Sequence, residues 1–187
     1  MTFADLVEAS YSPAEAAALS ACAFDEPVRE AVGLAAKTIL TDYLPRPAAC
    51  AMMSALFAEM IKARIDHPIH VVAGTLDADG VRVFGRTPLA KGPMPFLRSD
   101  LDWDGHMWVM VGDRLADISL LRTAKFLKPT SALKRLAIRE FGGFTGLMAW
   151  TVEEALQSGL RYMPSYVLTV PEIDGLAQGA RATLPRA

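Results

Sequence analysis

An α+β fold is what this chain predicts, and three observations carry the prediction. The first third reads at a helical period. From Pro68 onward apolar residues recur with period two. Two of these stretches turn back on short Gly/Asp pairs, Asp79-Gly80 and Gly112-Asp113, so the strands pair as antiparallel hairpins rather than through crossovers. With 187 residues, 52% hydrophobic and 21% charged, the composition is globular and fits a single domain over 1–187. Within it we expect N-terminal helices over 1–47, a core over 48–120 and a helix/strand extension over 121–187.

The elements follow in order. Ser12-Pro13-Ala14-Glu15 has the capping-box spacing with proline at the first helical position, and an alanine-rich helix runs on to about Phe24. A second helix over about Pro27 to Tyr43 places Val28, Val32, Ala35, Ile39 and Tyr43 on one stripe; LPRP ends it, because proline disfavours helix at the residue before it. The segment AACAMMSALFAEMIKAR, from Ala48 to about Arg64, is apolar on nearly every face, which predicts a buried helix. PIHVVAGTL and VRVFG about Asp79-Gly80 read as a β-hairpin or two successive strands, and HMWVMV and RLADIS flank Gly112-Asp113 as a second hairpin. A helix near Ser131 to Phe141, a glycine loop GGFTG, a short helix begun at Thr151 and a strand SYVLTV come next. From about Asp174 a polar tail is expected to be loosely ordered.

The composition also excludes functions. A formal net charge of −2 argues against nucleic acid as a partner, since phosphate recognition wants a basic face, and the most basic window, KFLKPTSALKRLAIRE, reads as a solvated helix face. No apolar run approaches the roughly 20 residues of a membrane helix, and MTFADLVEAS has no basic leader region, so no membrane partner is expected. With only Cys22 and Cys50, a reducing, cytoplasmic setting is the expectation. The chain has no GxxxxGK, GxGxxG, GxSxG or CxxC motif. His67 and His70 have the spacing of separate packing or surface roles rather than of a metal pair.

One constellation carries chemistry. If Gly112 and Asp113 form a two-residue turn, Val111 faces Arg114, Trp108 faces Asp117 and His106 faces Ser119. All four of His106, Trp108, Asp117 and Ser119 then share one side of the hairpin. His106 and Asp117 become diagonal neighbours, roughly 7–8 Å apart at the backbone. An aspartate so placed orients a histidine and stabilises its charged form. Cys50 stands where the buried helix begins, where the macrodipole and unpaired backbone N–H groups favour thiolate. Cys22, inside an alanine-rich helix, reads as a small buried hydrophobe.

CAMMSALFAEMIKARIDHPIHVVAGTL followed by GHMWVMVGDRLADIS resembles the core of the transglutaminase-like superfamily, which is papain-like in fold. Its pattern is a cysteine opening a buried helix, a VVAG-like strand, a histidine strand with H-x-W-V, and a strand bearing an aspartate. The resemblance covers about Ala48 to Leu120. It implies a catalytic triad of Cys50, His106 and Asp117, and a cysteine-dependent amide or ester hydrolase of peptidase or amidase type. Acyl transfer is the neighbouring activity. It implies a peptide or small amide substrate, with no cofactor and no metal. Ala48 and Ala49 stand where many members carry glycine. The chain has no asparagine and its glutamines are Gln157 and Gln178, so papain's orienting asparagine and upstream oxyanion glutamine have no counterparts. The oxyanion would draw on the Cys50 N–H with Tyr43 or Trp108. Trp103 and Asp104, with Asp100 and Asp102, would rim the site. A catalytically idle scaffold and a zinc site on the same triad are the alternatives.

Overall fold

The structure, a computed structural model, describes residues 2–89, 92–97 and 103–187. Asp100 and Asp102 lie outside the described residues. Eight α-helices and six strands stand among the described residues. Helices α1 (Phe3–Ser10), α2 (Pro13–Ala18), α3 (Glu26–Asp42) and α4 (Cys50–Lys62) lead into strands β1 (Ile69–Ala78) and β2 (Val81–Phe84), then β3 (His106–Val111) and β4 (Arg114–Asp117). The chain continues through α5 (Leu120–Phe126), α6 (Ala132–Phe141), β5 (Met148–Thr151), α7 (Val152–Gln157), β6 (Leu160–Val167) and α8 (Val170–Thr183). All strand pairs are antiparallel, so the α+β reading holds.

β1 organises the sheet. It pairs with β6 from Val72 to Ala78, with β3 from Ile69 to Gly74 and with β2 from Leu76 to Ala78. A strand has only two edges, and β6 takes one of them along its length. β3 and β2 therefore follow each other along the other edge, and a hydrogen bond from the Gly85 N–H to the Asp104 carbonyl (3.0 Å) joins their ends. β4 and β5 extend the sheet beyond β3. Both turns form as the Gly/Asp pairs require: Asp79 and Gly80 take φ of 48° and 75°, and Gly112 takes φ 58°.

Helices cover both faces. On one face Val71, Ala73, Met107 and Val109 pack with Val32 and Ile39 of α3, with Leu56, Phe57 and Ile61 of α4 and with Ile173 and Ala177 of α8. On the other, Leu76, Trp108, Met110 and Leu115 pack with Val7 of α1, with Leu120 and Leu121 of α5 and with Leu133 and Leu136 of α6. α4 begins without any side-chain cap, because Ala49 occupies the N-cap position. A missing cap costs about 1 kcal/mol. Burying Leu56, Phe57 and Ile61 contributes roughly 1.5–3 kcal/mol each, so packing decides in favour of the helix.

Several expectations need correction. The polar tail beyond Asp174 is the body of α8. Thr169 and Glu172 form its capping box, and the small residues Ala177 and Ala180, both fully buried, let it lie close on α4. The strand expected over SYVLTV begins earlier, at Leu160. Pro164 interrupts its alternation, but it pairs with Gly74 where the β1–β6 register shifts, a place where a missing N–H is tolerated. The alanine-rich N-terminal helix ends at Ala18 and passes into a 3-10 turn over Leu19–Ala21. RLADIS yields a strand only to Asp117, since α5 starts at Leu120.

Candidate active site

β3 opens with His106 and β4 closes with Asp117, and the register between them runs through Val111–Arg114, Met110–Leu115 and Val109–Ala116. Continued by one more pair, this register puts the two polar side chains on one face. The His106 Nε2–Asp117 Oδ2 distance is 2.6 Å, and both side chains are fully buried. The other carboxylate oxygen, Oδ1, accepts from the Ser119 amide (2.9 Å), the Ser119 hydroxyl (3.1 Å) and the Leu120 amide (2.9 Å). Tyr162 on β6 donates its buried hydroxyl to Oδ2 at 3.0 Å. Asp117 thus receives five polar contacts, which is how a carboxylate survives burial.

Burial opposes charge on Asp117, yet the His106 ring, the Ser119 amide and the Tyr162 hydroxyl outweigh it and hold the carboxyl below its ordinary range. Burial likewise works against an imidazolium at His106. The Asp117 charge and hydrogen bond, with smaller help from Cys50, overcome it and raise the ring to about 10. The Tyr162 phenol is pushed well above its usual value by burial and by the neighbouring carboxylate. Together these describe an imidazolium–carboxylate pair at neutral pH.

Cys50 is the first residue of α4 and is half-buried. Ala48, two residues before it, adopts a left-handed φ of 55°, a conformation that favours glycine. The first carbonyl of the helix ladder, at Ala49, accepts from Met53 (2.9 Å), so the amides of Cys50, Ala51 and Met52 have no partner within the helix. Ser54, one turn on, donates to the Met107 carbonyl at 3.0 Å and pins the start of α4 against β3. Since Nε2 of His106 is engaged by Asp117, Nδ1 is the ring nitrogen left for the sulfur. It makes no regular hydrogen bond among the described residues, and the Cys50 side chain is the group that favours charge on the ring besides Asp117.

A cavity of about 470 Å³ opens over Cys50, walled by Ala51, Phe84, Trp103, Gly105, Thr123 and Phe126 among others. Phe84 stacks on the His106 ring at 5.2 Å. Trp103 lies over Gly105, where an added Cβ would fall into the indole, and meets Phe96 edge-on at 5.1 Å. Asp104 also lines the cavity, but its carboxylate accepts from the Arg86 (3.2 Å) and Thr87 (2.8 Å) amides. It is a turn-closing acid rather than a bare charge.

Two expected residues lie elsewhere. Tyr43 is buried and its hydroxyl faces Arg186 at 3.3 Å, while its carbonyl accepts from Arg122 at 2.7 Å. Trp108 sits on the same face as His106 but packs inward, edge-on to Tyr162 at 5.0 Å, with its ring over Gly74. Neither lines the Cys50 cavity, because that cavity opens at the end of the strands and not along their faces. Cys22 packs against the Gly112 turn, and burial pushes its thiol up. Among the described residues, no group of three or more His, Cys, Asp and Glu side chains converges to hold a metal ion, and no helix is long and apolar enough to cross a membrane.

Sequence reasoning missed Tyr162, Ser119 as a donor, Phe84 and Thr123. Of these, Tyr162 had a signal: Leu160 and Tyr162 alternate with polar Arg161. Comparison with protein-family models, with curated proteins and with solved structures returned no match.

Proposed function

We propose that this protein is a cysteine-dependent hydrolase of peptidase or amidase type, built on a papain-like, transglutaminase-like core. The observation that carries the reading is the buried His106–Asp117 pair at 2.6 Å, with Nδ1 left over beside a cysteine that opens a helix under a cavity. In the reaction the Cys50 thiolate attacks the substrate carbonyl carbon, forming the C–S bond and moving the π pair onto oxygen. The Cys50 amide, which has no partner within its helix, donates to that oxyanion; such donors are worth roughly 2.7–4 kcal/mol each. The His106 imidazolium gives its Nδ1 proton to the leaving amine as the C–N bond breaks. Water then attacks the thioester while the now neutral His106 takes its proton, and the acid product leaves with the thiolate restored. Asp117 keeps the ring oriented throughout, and Tyr162 keeps Asp117 ionised and in place.

Native-state alkylation tests the reading. Rapid iodoacetamide labelling of Cys50 at pH 6, abolished by His106→Ala, is the expected result. Labelling that appears only after denaturation would mean an idle scaffold and would overturn the assignment.

A further inference from the structure

Beside the Cys50 cavity lies a second space of about 470 Å³, and the two share Val83 and Leu127 as walls. Its lining contains Arg82, Arg86 and Lys128 with the hydroxyl residues Thr130 and Ser131, and no aspartate or glutamate among the described residues. The three cations are not equivalent. Arg82 is paired with Asp77 and also donates to the Gly85 carbonyl at 3.3 Å. Arg86 reaches the Arg82 carbonyl at 3.4 Å, which holds its side chain along the wall. The Lys128 ammonium makes no hydrogen bond or ion pair among the described residues, and the Ser131 hydroxyl gives no cap to α6.

The space also borders a strand edge. Among the described residues β1 is the only strand that pairs with β2, so the other side of β2 has no strand partner and is an edge of the kind that accepts an extended peptide. Phe84, at the end of β2, is against His106. Val81, at its start, lines the cationic space. At a strand's rise these two residues are about 10 Å apart. An extended chain laid along β2 from the reacting carbonyl would therefore carry a side chain into the cationic space roughly two to four residues away.

We infer that this cationic space is a specificity subsite for an acidic side chain of a peptide substrate lying extended along β2, with its acyl group at Cys50. The inference deepens the hydrolase reading and rests on it for the position of the reacting carbonyl. Charge complementarity and the shared walls decide the occupant. A short neutral amide would fill only the Cys50 cavity, leaving the cations and the strand edge unused, whereas an acidic peptide engages both.

The test uses acyloxymethyl ketone peptides carrying Glu, Gln or Lys in turn at the second, third and fourth residues from the warhead, with alkylation of Cys50 followed by mass spectrometry. At the favoured position the Glu probe should react about tenfold faster than Gln and faster still than Lys, with the gap narrowing in high salt. The double variant Arg86→Glu with Lys128→Glu should invert the Glu/Lys order while leaving iodoacetamide labelling unchanged, which shows the fold and thiol intact. Equal rates for Glu and Lys probes at every position, with Cys50 still labelled by iodoacetamide, would overturn the subsite and leave the hydrolase reading standing. Fluorescence anisotropy of a fluorescein-labelled, unreactive Glu peptide on Cys50→Ala separates the opposite case. Binding that the double variant abolishes, together with a Cys50 inert to iodoacetamide, would support the subsite and sink the hydrolase reading; neither binding nor labelling would sink both.

Discussion

Asp117→Asn is the perturbation with the most to say. The asparagine carbonyl would keep the Oδ1 role, accepting from the Ser119 and Leu120 amides. Its NH2 would then stand where Oδ2 was, facing His106 Nε2 and the Tyr162 hydroxyl. An NH2 only donates. Nε2 must become the acceptor and the ring proton must move to Nδ1, where it blocks uptake of a proton from the Cys50 thiol. The charge that raised His106 to about 10 disappears, and burial then drives the ring below its ordinary value near 6.5. At pH 7 the charged fraction falls from nearly all to under about a quarter. A wrong tautomer of this kind costs on the order of 10⁴ in kcat, and the buried Tyr162 hydroxyl without its anionic acceptor costs about 1.5–3 kcal/mol of stability. The raised His106 value also makes a pH statement: in the wild type its stabilisation is complete below about pH 6.5 and is lost as pH climbs toward about 10. That alkaline loss should vanish in the variant. Histidine ¹⁵N NMR reads the tautomer, urea midpoints against pH read the stability, and iodoacetamide rates at pH 6 read the thiol. A variant that labels at the wild-type rate with Nε2 still protonated would refute the reasoning.

Three further outcomes are expected. Arg122 is buried and caps the Leu40 and Tyr43 carbonyls at 2.8 and 2.7 Å; Arg122→Met leaves both acceptors unpaired and should lower the urea unfolding free energy by roughly 2–5 kcal/mol, and a loss under 0.5 kcal/mol would show that water replaces it. Gly105→Ala drives a methyl into the Trp103 ring and to 2.7 Å from the Gly74 carbonyl; it should cost about 1–3 kcal/mol and shift tryptophan emission, and an unaltered spectrum would contradict the packing. His70 is buried, and burial, with the Lys62 charge, lowers it to about 4. The native state therefore refuses a proton that the unfolded chain accepts, and stability should fall between pH 6.5 and 4; His70→Phe should flatten that limb, and an unchanged slope would exonerate His70.

The hairpin at the centre of the site was readable because period two and a Gly-Asp turn leave one register that buries its apolar face. The helix opened by Cys50 was readable because it has almost no polar side. Tyr162 was hidden by Pro164, whose effect on the strand depends on a register shift in a partner that is distant in the chain. α8 was hidden by its own small residues: Ala177 and Ala180 look weakly apolar in a list, yet close approach to α4 makes them core. Trp108 shows the limit of face arguments. It shares a side with His106, as alternation requires, but which end of the sheet opens is set by α4, α5 and the chain between β2 and β3.

The hydrogen bond from Gly85 to Asp104 ties together the two ends of the chain that leaves β2 and returns at β3. It acts as a neck. The described residues between those ends are tied back to the scaffold: the Phe96 N–H donates to Glu172 Oε1 at 3.0 Å, and Phe96 and Trp103 pack on the core that carries α4 and α8. An engineer seeking altered selectivity should vary this segment while keeping Phe96 and Trp103, whose contacts anchor it to α8 and to the start of β3.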